Sequence, residues 1–323
     1  MMLHTTKCLA VACLVLVGMS ASSAVATTAT KQSVCSRFSP ASDQSAVLGD
    51  GVLNEVSGIA ASRVHPPVLW VHNDSGGAPA VYAIQPNGAL VGTYSVDGAT
   101  NVDWEDIAIG PGPQQKVSYL YLGDIGDNLS ARDHVTVYRV PEPTTALTAT
   151  GTLTGTETIS LRYPEHPVDA ESMFVYPRSG DLFLIDKEYT SAVGHVFRAR
   201  RRQLVDGADV TLQAVASFAL APDDTLVTGG IAKFPGTIIT GADISPDGST
   251  VLVRTYRRIV AFSRPAGKPV TTAFTRPSCA APQIDERQGE AVAFAADGAN
   301  SFTISEGAGA SVHRFVVKPP LSP

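Results

Sequence analysis

A short segment of one pattern recurs five times along the chain, and this repetition restricts the possible folds more than any other feature. Each copy is a β-rich apolar run, and four of the five begin with a polar residue. The copies are Ser57-Gly-Ile-Ala-Ala, Glu105-Asp-Ile-Ala-Ile, Glu171-Ser-Met-Phe-Val, Ala242-Asp-Ile-Ser-Pro and Glu290-Ala-Val-Ala-Phe. Small repeated units fold by packing against each other, because one unit alone cannot bury its apolar face.

Each copy opens a larger unit of several short strands. In each unit a second run follows after a turn, and a third run follows the second. The second and third runs of the five units begin at Val68 and Val81, Leu120 and Val137, Leu182 and Val196, Val251 and Ile259, and Phe302 and Val312. A more variable fourth run ends most units, and helical periodicity is almost absent. Four strands in each of five units predict an all-β fold, a five-bladed β-propeller of four-stranded antiparallel blades.

The spacing of the units indicates insertions. The unit starts at 57, 105, 171, 242 and 290 are 48, 66, 71 and 48 residues apart, whereas a four-stranded blade needs about 40–50 residues. We expect the segment 223–240 to be an inserted loop with its own short strand, and six blades are the alternative if the insertion is larger. The last unit lacks a clear fourth strand, so we expect residues 33–47 to supply it and close the ring.

The first residues resemble an export signal. Lys7 precedes an apolar run from Cys8 to Met19, and Ala24-Val25-Ala26 ends the segment. A basic start, an apolar middle and a small-x-small end are typical of a secretory signal peptide. The apolar run is short for a membrane anchor. We therefore expect cleavage near Ala26, release from the cell or into its envelope, and a single domain over residues 27–323.

Cysteine content and charge limit the bonds and partners of the exported chain. The sequence has 4 Cys, and cleavage near Ala26 leaves Cys35 and Cys279, which predict one disulfide in an oxidising compartment. The chain has 24 Lys and Arg against 30 Asp and Glu, a formal net charge of −6. Because the chain has no basic excess, we expect no nucleic-acid partner. Because no later apolar stretch has the length of a membrane span, we expect no such span. We also expect a monomer.

The first residues of the units predict a metal site. The innermost strand of each blade lines the central channel of a propeller, so Ser57, Glu105, Glu171 and Glu290 are placed at one height, with Ala242 in the fourth unit. Glutamates facing one narrow axis repel each other when ionised, unless their pKa values rise or a cation lies between them. Ca²⁺ suits such a set of oxygen ligands. The alternative is that these glutamates cap strand ends or face solvent.

The ends of the second strands supply a second set of candidates. Antiparallel geometry returns them to the face where the first strands begin. The candidate catalytic residues at these ends are Asp74, Asp124, Lys187, Glu188 and Arg254. Carboxylates around a cation, with two basic side chains nearby, suit a small anionic or phosphorylated ligand. The alternative is that the acidic residues only hold turns.

Several motifs resemble known propeller families. Ser57-Gly58-Ile59-Ala60, His72-Asn73-Asp74-Ser75-Gly76, Asp103-Trp104-Glu105-Asp106 and Gly123-Asp124-Ile125-Gly126-Asp127 resemble bacterial secreted propeller proteins grouped near the esterase-like phytase domains. More distantly, the order Ser57, Glu105, Glu171, Glu290 resembles the soluble calcium-activated nucleotidases, the apyrase family. These are five-bladed propellers in which Ser and Glu at successive blade starts hold a channel calcium.

Two positions depart from the apyrase pattern. Ala242 stands where that family has a hydroxyl, and Asn73-Asp74-Ser75 lacks the arginine of its substrate-binding element. The resemblance implies a Ca²⁺ cofactor and calcium-dependent hydrolysis of phosphate esters or anhydrides. The alternative is a secreted, non-catalytic binding module for a sugar or protein ligand.

Overall fold

The structure is a computed structural model that describes residues 33–39, 44–47, 51–221, 226–229 and 232–318. The predicted signal peptide, residues 1–26, lies outside the described residues. The regular structure in these ranges consists of strands and three short 3₁₀ helices, Val34–Arg37, Arg201–Gln203 and Val270–Ala273. No helix in the described part of the chain has the length and apolar character needed to cross a membrane.

The strands are short, as expected for a chain with frequent turn residues. The first ten are β1 (Gln44–Val47), β2 (Val56–Ala61), β3 (Leu69–Asn73), β4 (Ala80–Ile84), β5 (Leu90–Val96), β6 (Trp104–Pro111), β7 (Ser118–Asp124), β8 (Val135–Pro141), β9 (Thr150–Leu153) and β10 (Glu157–Arg162). The others are β11 (Ala170–Val175), β12 (Leu182–Asp186), β13 (Val193–Ala199), β14 (Asp209–Thr211), β15 (Gln213–Ala219), β16 (Leu226–Gly229), β17 (Ala232–Pro235), β18 (Ile239–Ile244), β19 (Thr250–Thr255), β20 (Ile259–Ser263), β21 (Cys279–Ala280), β22 (Gly289–Phe294), β23 (Asn300–Ser305) and β24 (Ser311–Val316).

Five sheets form the blades of a propeller. From the axis outward they are β2-β3-β4-β5, β6-β7-β8-β10, β11-β12-β13-β15, β18-β19-β20-β21 and β22-β23-β24-β1. The innermost strands β2, β6, β11, β18 and β22 each contact the next one in this order, and β22 contacts β2. The ring is therefore closed with five blades, as the repeat predicts.

Insertions in the middle units account for their longer spacing. After β8 the chain crosses to blade one, where β9 pairs in parallel with β5, and then returns to blade two as β10. After β13 it crosses in the same way to blade two, where β14 pairs in parallel with β10. Blades one and two thus have five strands, one more than predicted. The hairpin β16–β17 falls within the segment predicted as an insertion.

Among the described residues, five apolar clusters lie one between each pair of neighbouring blades, and a small sixth contains Ile238 and Tyr256. The side chains alternate along each strand, so one face of every blade packs on the preceding blade and the other face on the next. Trp70 and Trp104 are 0% exposed and lie in the cluster between blades one and two. Both tryptophans are therefore core residues.

The N-terminal segment contacts the last two blades of the ring. Strand β1 pairs antiparallel with β24 of the last blade, and Phe38 forms a β-bridge with Val317. Cys35 is disulfide-bonded to Cys279 in β21, the outer strand of blade four, with a Cα–Cα distance of 5.9 Å. The predicted disulfide is confirmed, and it ties the closing segment to blade four while β1 completes blade five.

We expect loss of the disulfide to destabilise the ring strongly, because the bond closes a loop with a sequence separation of 244. In the chain-entropy model a loop of this length contributes about 5 kcal/mol. Cys35→Ala, Cys279→Ala and the double variant should lower the free energy of unfolding in urea by the same amount. Losses that add in the double variant would contradict the prediction, since the two side chains act through one bond.

Candidate axial metal site

Each inner strand contains a β-bulge at the same position relative to its neighbour strand. The bulged residues, which the pairing with the second strand skips, are Ser57, Glu105, Glu171, Thr240 and Glu290. A bulge locally re-aims a side chain and often lies beside a functional site. Five equivalent bulges around a closed ring therefore present one side chain per blade at the same height.

The pairing of β18 with β19 in blade four shows that the sequence alignment of the five repeats was wrong in this blade. Ala242 pairs with Val253 in the regular ladder, and the bulge lies two residues earlier, at Thr240. Aligning Ala242 with the glutamates was wrong, because that alignment matched the apolar run rather than the bulge. The pair Thr240-Gly241 repeats Ser57-Gly58, which is the sequence signal that could have identified it.

Glycine follows both hydroxyl residues because the inner strands approach closely there. A Cβ added to Gly58 would lie 2.7 Å from the Ile107 backbone nitrogen in blade two. One added to Gly241 would lie 2.5 Å from the Glu290 carbonyl oxygen in blade five. A side chain at either position would push neighbouring inner strands apart. The two glycines therefore keep the ring narrow at the height of the bulges.

The predicted metal ligands surround one cavity of about 160 Å³. Ser57, Glu105, Glu171 and Glu290 all line it, so the structure brings the four residues together. The remaining lining residues are Glu55, Asp74, Asn128, Lys187, Tyr256, Gln288 and Glu306. Among the described residues that line the cavity, six carry carboxyl groups and Lys187 alone is a cation at neutral pH.

The three bulge glutamates are almost completely buried. Glu105, Glu171 and Glu290 are 3%, 5% and 6% exposed. Burial raises the pKa of Glu105 and the pKa of Glu290 well above the ordinary value, the neighbouring carboxylates raise them further, and the Lys187 ammonium opposes the shift. The side chain of Lys187 forms an ion pair with one oxygen of Glu171. The other oxygen, Oε2, has no hydrogen-bond partner among the described residues.

The two bulge hydroxyls are oriented by the neighbouring blade. Ser57 Oγ donates to the Glu105 carbonyl oxygen at 2.6 Å, and Thr240 Oγ1 donates to the Gly289 carbonyl oxygen at 2.7 Å. A hydroxyl that donates its hydrogen retains oxygen lone pairs that can accept a hydrogen bond or bind a cation. Ser57 lines the axial cavity and adds a neutral oxygen to the charged ones, whereas Thr240 is fully buried and is not among the residues that line it.

Asp103, which is not among the residues predicted from the sequence, adds a carboxyl group at the mouth of the axial cavity. Carboxylate oxygens of Asp74, Asp103 and Glu105 lie within 4.8 Å of one another. Burial and the Asp74 carboxylate raise the pKa of Asp103 to about 6. Asp103 precedes the bulge by two residues, as Glu55 and Asp169 do in their blades. This recurrent acidic position was the available signal.

The five candidate catalytic residues occupy different places. Asp74 and Lys187 line the cavity, and burial raises the pKa of Asp74. Asp124 accepts hydrogen bonds from the backbone nitrogens of Val102 and Asp103 and pairs with Arg132 at 2.8 Å. Its carboxylate therefore supports the loop before β6.

Glu188 and Arg254 are also held by other contacts. Glu188 accepts hydrogen bonds from the backbone nitrogen and hydroxyl of Thr190 at 2.8 and 2.7 Å. Arg254 is buried and pairs with Glu286 at 2.6 Å, with its guanidinium packed against Gly289. Neither side chain lines the axial cavity.

These features define a five-bladed β-propeller with an acidic axial cavity. No protein-family model matches the sequence, and no curated protein sequence matches it. Among solved structures, hydrazine synthase from Kuenenia stuttgartiensis is similar with 10% identity and a TM-score of 0.40, covering 79% of this chain and 93% of that one. A nidogen/laminin complex is similar with 12% identity and a TM-score of 0.40, covering 77% and 72%.

We expect the metal-free protein to lose stability as pH rises above 4.5, the ordinary pKa of a glutamate. Carboxyl groups with raised folded-state pKa values bind protons more strongly in the folded state, so their stabilising contribution is lost as pH rises through those values. In the presence of EGTA, Glu105→Gln should flatten this decline in the free energy of unfolding by up to about 1.4 kcal/mol per pH unit.

The matched control for this prediction is Glu55→Gln, which neutralises an exposed glutamate of the same cavity. The decline in stability should persist in this variant, because Glu105 and Glu290 remain buried in it. Equal slopes for Glu105→Gln and the wild type would show that Glu105 ionises without penalty.

Proposed function

We propose that this protein is a secreted β-propeller that binds a calcium ion in its axial cavity. Glu105, Glu171 and Glu290 are the carboxylate ligands, and the hydroxyl of Ser57 completes the set of bulge side chains that line the cavity. The observation that carries the proposal is the convergence of three buried glutamates, from equivalent bulges in three blades, on one small cavity.

The donor set matches the chemistry of calcium. Ca²⁺ prefers six to eight oxygen ligands and accepts water among them, whereas zinc and copper prefer imidazole or thiolate. The four bulge side chains that line the cavity all offer oxygen. The buried Glu171 Oε2, which has no partner among the described residues, is an acceptor of the kind that a cation satisfies. These residues therefore fit the ion that the apyrase-like order of ligands implies.

Lys187 does not replace the ion in this proposal. Its ammonium pairs with Glu171 and contributes one positive charge. Glu105 and Glu290 remain, and the Asp74 carboxylate lies at the same cavity. A divalent cation balances more of this negative charge than Lys187 alone. Burial favours the protonated form of these carboxyl groups, whereas a bound cation favours their ionised form.

A second candidate is calcium-dependent hydrolysis of phosphate esters or anhydrides. When bound, the ion would supply positive charge that polarises a phosphoryl oxygen. Asp74 and Lys187 are the two candidate catalytic residues at the cavity. The raised pKa of Asp74 allows its carboxyl group to hold a proton closer to neutral pH, and the Lys187 ammonium can attract an anionic substrate.

The alternative of a non-catalytic binding module is also supported by one observation. Three of the five candidate catalytic residues, Asp124, Glu188 and Arg254, are engaged in contacts outside the axial cavity. The mouth therefore holds fewer free catalytic groups than the sequence suggested. Activity assays distinguish the two candidates, whereas calcium binding is common to both.

We expect calcium to raise the melting temperature of the protein relative to EGTA, and magnesium not to reproduce the effect. Binding to the folded state contributes about 2.7 kcal/mol at a hundredfold excess over the Kd. Glu171→Gln and Glu290→Gln should each reduce the calcium-induced shift in differential scanning calorimetry, while Glu55→Gln preserves most of it. An undiminished shift in both buried variants would place the ion elsewhere.

For the hydrolase candidate, we expect calcium-dependent release of inorganic phosphate from a panel of phosphomonoesters and nucleoside diphosphates. Asp74→Asn should lower the rate by about 10²-fold or more, the range for loss of an acid–base group. Asp209→Asn, at an exposed aspartate of blade two paired with Arg162, should leave it unchanged. No release with any substrate would favour the binding module.

A further inference from the structure

A second and larger cavity lies beside the axial one, at the edge of blade three. This side cleft has a volume of about 700 Å³, within the usual range for small-molecule sites. Its walls come from the segment 163–169, the residues after β12, and strands β13 and β15. Lys187 lines both cavities, so the side cleft adjoins the axial site.

A histidine with a fixed orientation faces the side cleft. Buried Asp186 accepts hydrogen bonds from the backbone nitrogen of His195 at 2.6 Å and from its Nδ1 at 2.7 Å. The carboxylate therefore holds the hydrogen on Nδ1, and in the neutral imidazole the lone pair is on Nε2. The His195 side chain is 46% exposed and lines the cleft. Its free nitrogen is a hydrogen-bond acceptor suited to a hydroxyl group.

Tyr163 supplies a second polar group without a protein partner. Its ring packs edge-on against Phe197, with centroids 4.9 Å apart, and both residues line the cleft. The Tyr163 hydroxyl oxygen is buried and has no hydrogen-bond partner among the described residues. Buried hydroxyls are normally hydrogen-bonded, and leaving one unpaired costs free energy. A ligand hydroxyl in the cleft would complete this bond.

The charges around the cleft select against an anionic ligand. Its carboxyl groups belong to Glu165, Asp169, Asp186 and Glu188, and its basic side chains are Lys187, His166 and His195. Three of the four acids already accept hydrogen bonds from protein groups, so they contribute negative charge but few free acceptors. A neutral ligand whose groups both donate and accept avoids this repulsion.

We propose that the side cleft binds a neutral, hydroxyl-rich ligand of the saccharide class. One ligand hydroxyl donates to His195 Nε2, and a second pairs with the Tyr163 hydroxyl. The rings of Tyr163, Tyr189 and Phe197 cover the apolar C–H faces of the sugar. The site uses none of the proposed calcium ligands, so ligand binding in the side cleft does not depend on an ion in the axial cavity.

The test is binding of the full chain to a printed array of neutral, sulfated and phosphorylated glycans. We expect neutral glycans to bind, with affinity reduced about tenfold by His195→Ala and by Tyr163→Phe. The matched control is His134→Ala, an exposed histidine in blade two, which should bind as the wild type does. EGTA should leave binding unchanged, which separates this site from the axial one.

Tyr163→Phe removes only an oxygen that has no partner in the described protein, so its melting temperature should equal or exceed that of the wild type. The variant therefore tests ligand binding without a loss of folding. The proposal is overturned if no neutral glycan binds, if only sulfated or phosphorylated glycans bind, or if binding survives both His195→Ala and Tyr163→Phe.

Discussion

Burial of three glutamates beside one cavity of a closed ring, among further carboxyl groups, is the constraint on which the candidate site depends. Glu105, Glu171 and Glu290 reach one cavity because each occupies a bulge on a different inner strand. Burial disfavours their ionised forms, and Lys187 provides one compensating charge. Protons at low pH, or a divalent cation at neutral pH, relieve this cost. The stability and the chemistry of the site are thus coupled.

The axial cavity exists only because the ring closes. The geometry of the site therefore depends on contacts between residues that are remote in sequence. Strand β1 completes the last blade, and the disulfide attaches the same segment to blade four. Gly58 and Gly241 permit the close approach of neighbouring inner strands beside the bulges. Opening the ring would therefore separate the glutamates as well as expose the apolar clusters between the blades.

The axial cavity and the side cleft have different chemistry although Lys187 borders both. The axial cavity presents carboxylates and hydroxyls to one point and suits a small cation. The cleft presents an oriented imidazole, aromatic walls and a phenol with no hydrogen-bond partner among the described residues, and these groups suit a ligand with hydroxyl groups. A propeller can support both sites, because its inner strands form the axis while later strands and insertions form the edges of the blades.

The sequence by itself determined the five repeated units, the inner-strand glutamates, and the pairing of Cys35 with Cys279. Each of these follows from periodicity, residue type or cysteine count. The tertiary structure identified the bulge at Thr240 and the acidic position of Asp103, although the sequence carried an overlooked signal for each of them. It also decided the engagement of Asp124, Glu188 and Arg254 by nearby partners, and the orientation of His195 by Asp186. The physical reason is that alternation along a strand reports which face a residue occupies, whereas the direction of a side chain at a bulge or strand end depends on contacts with other strands and loops.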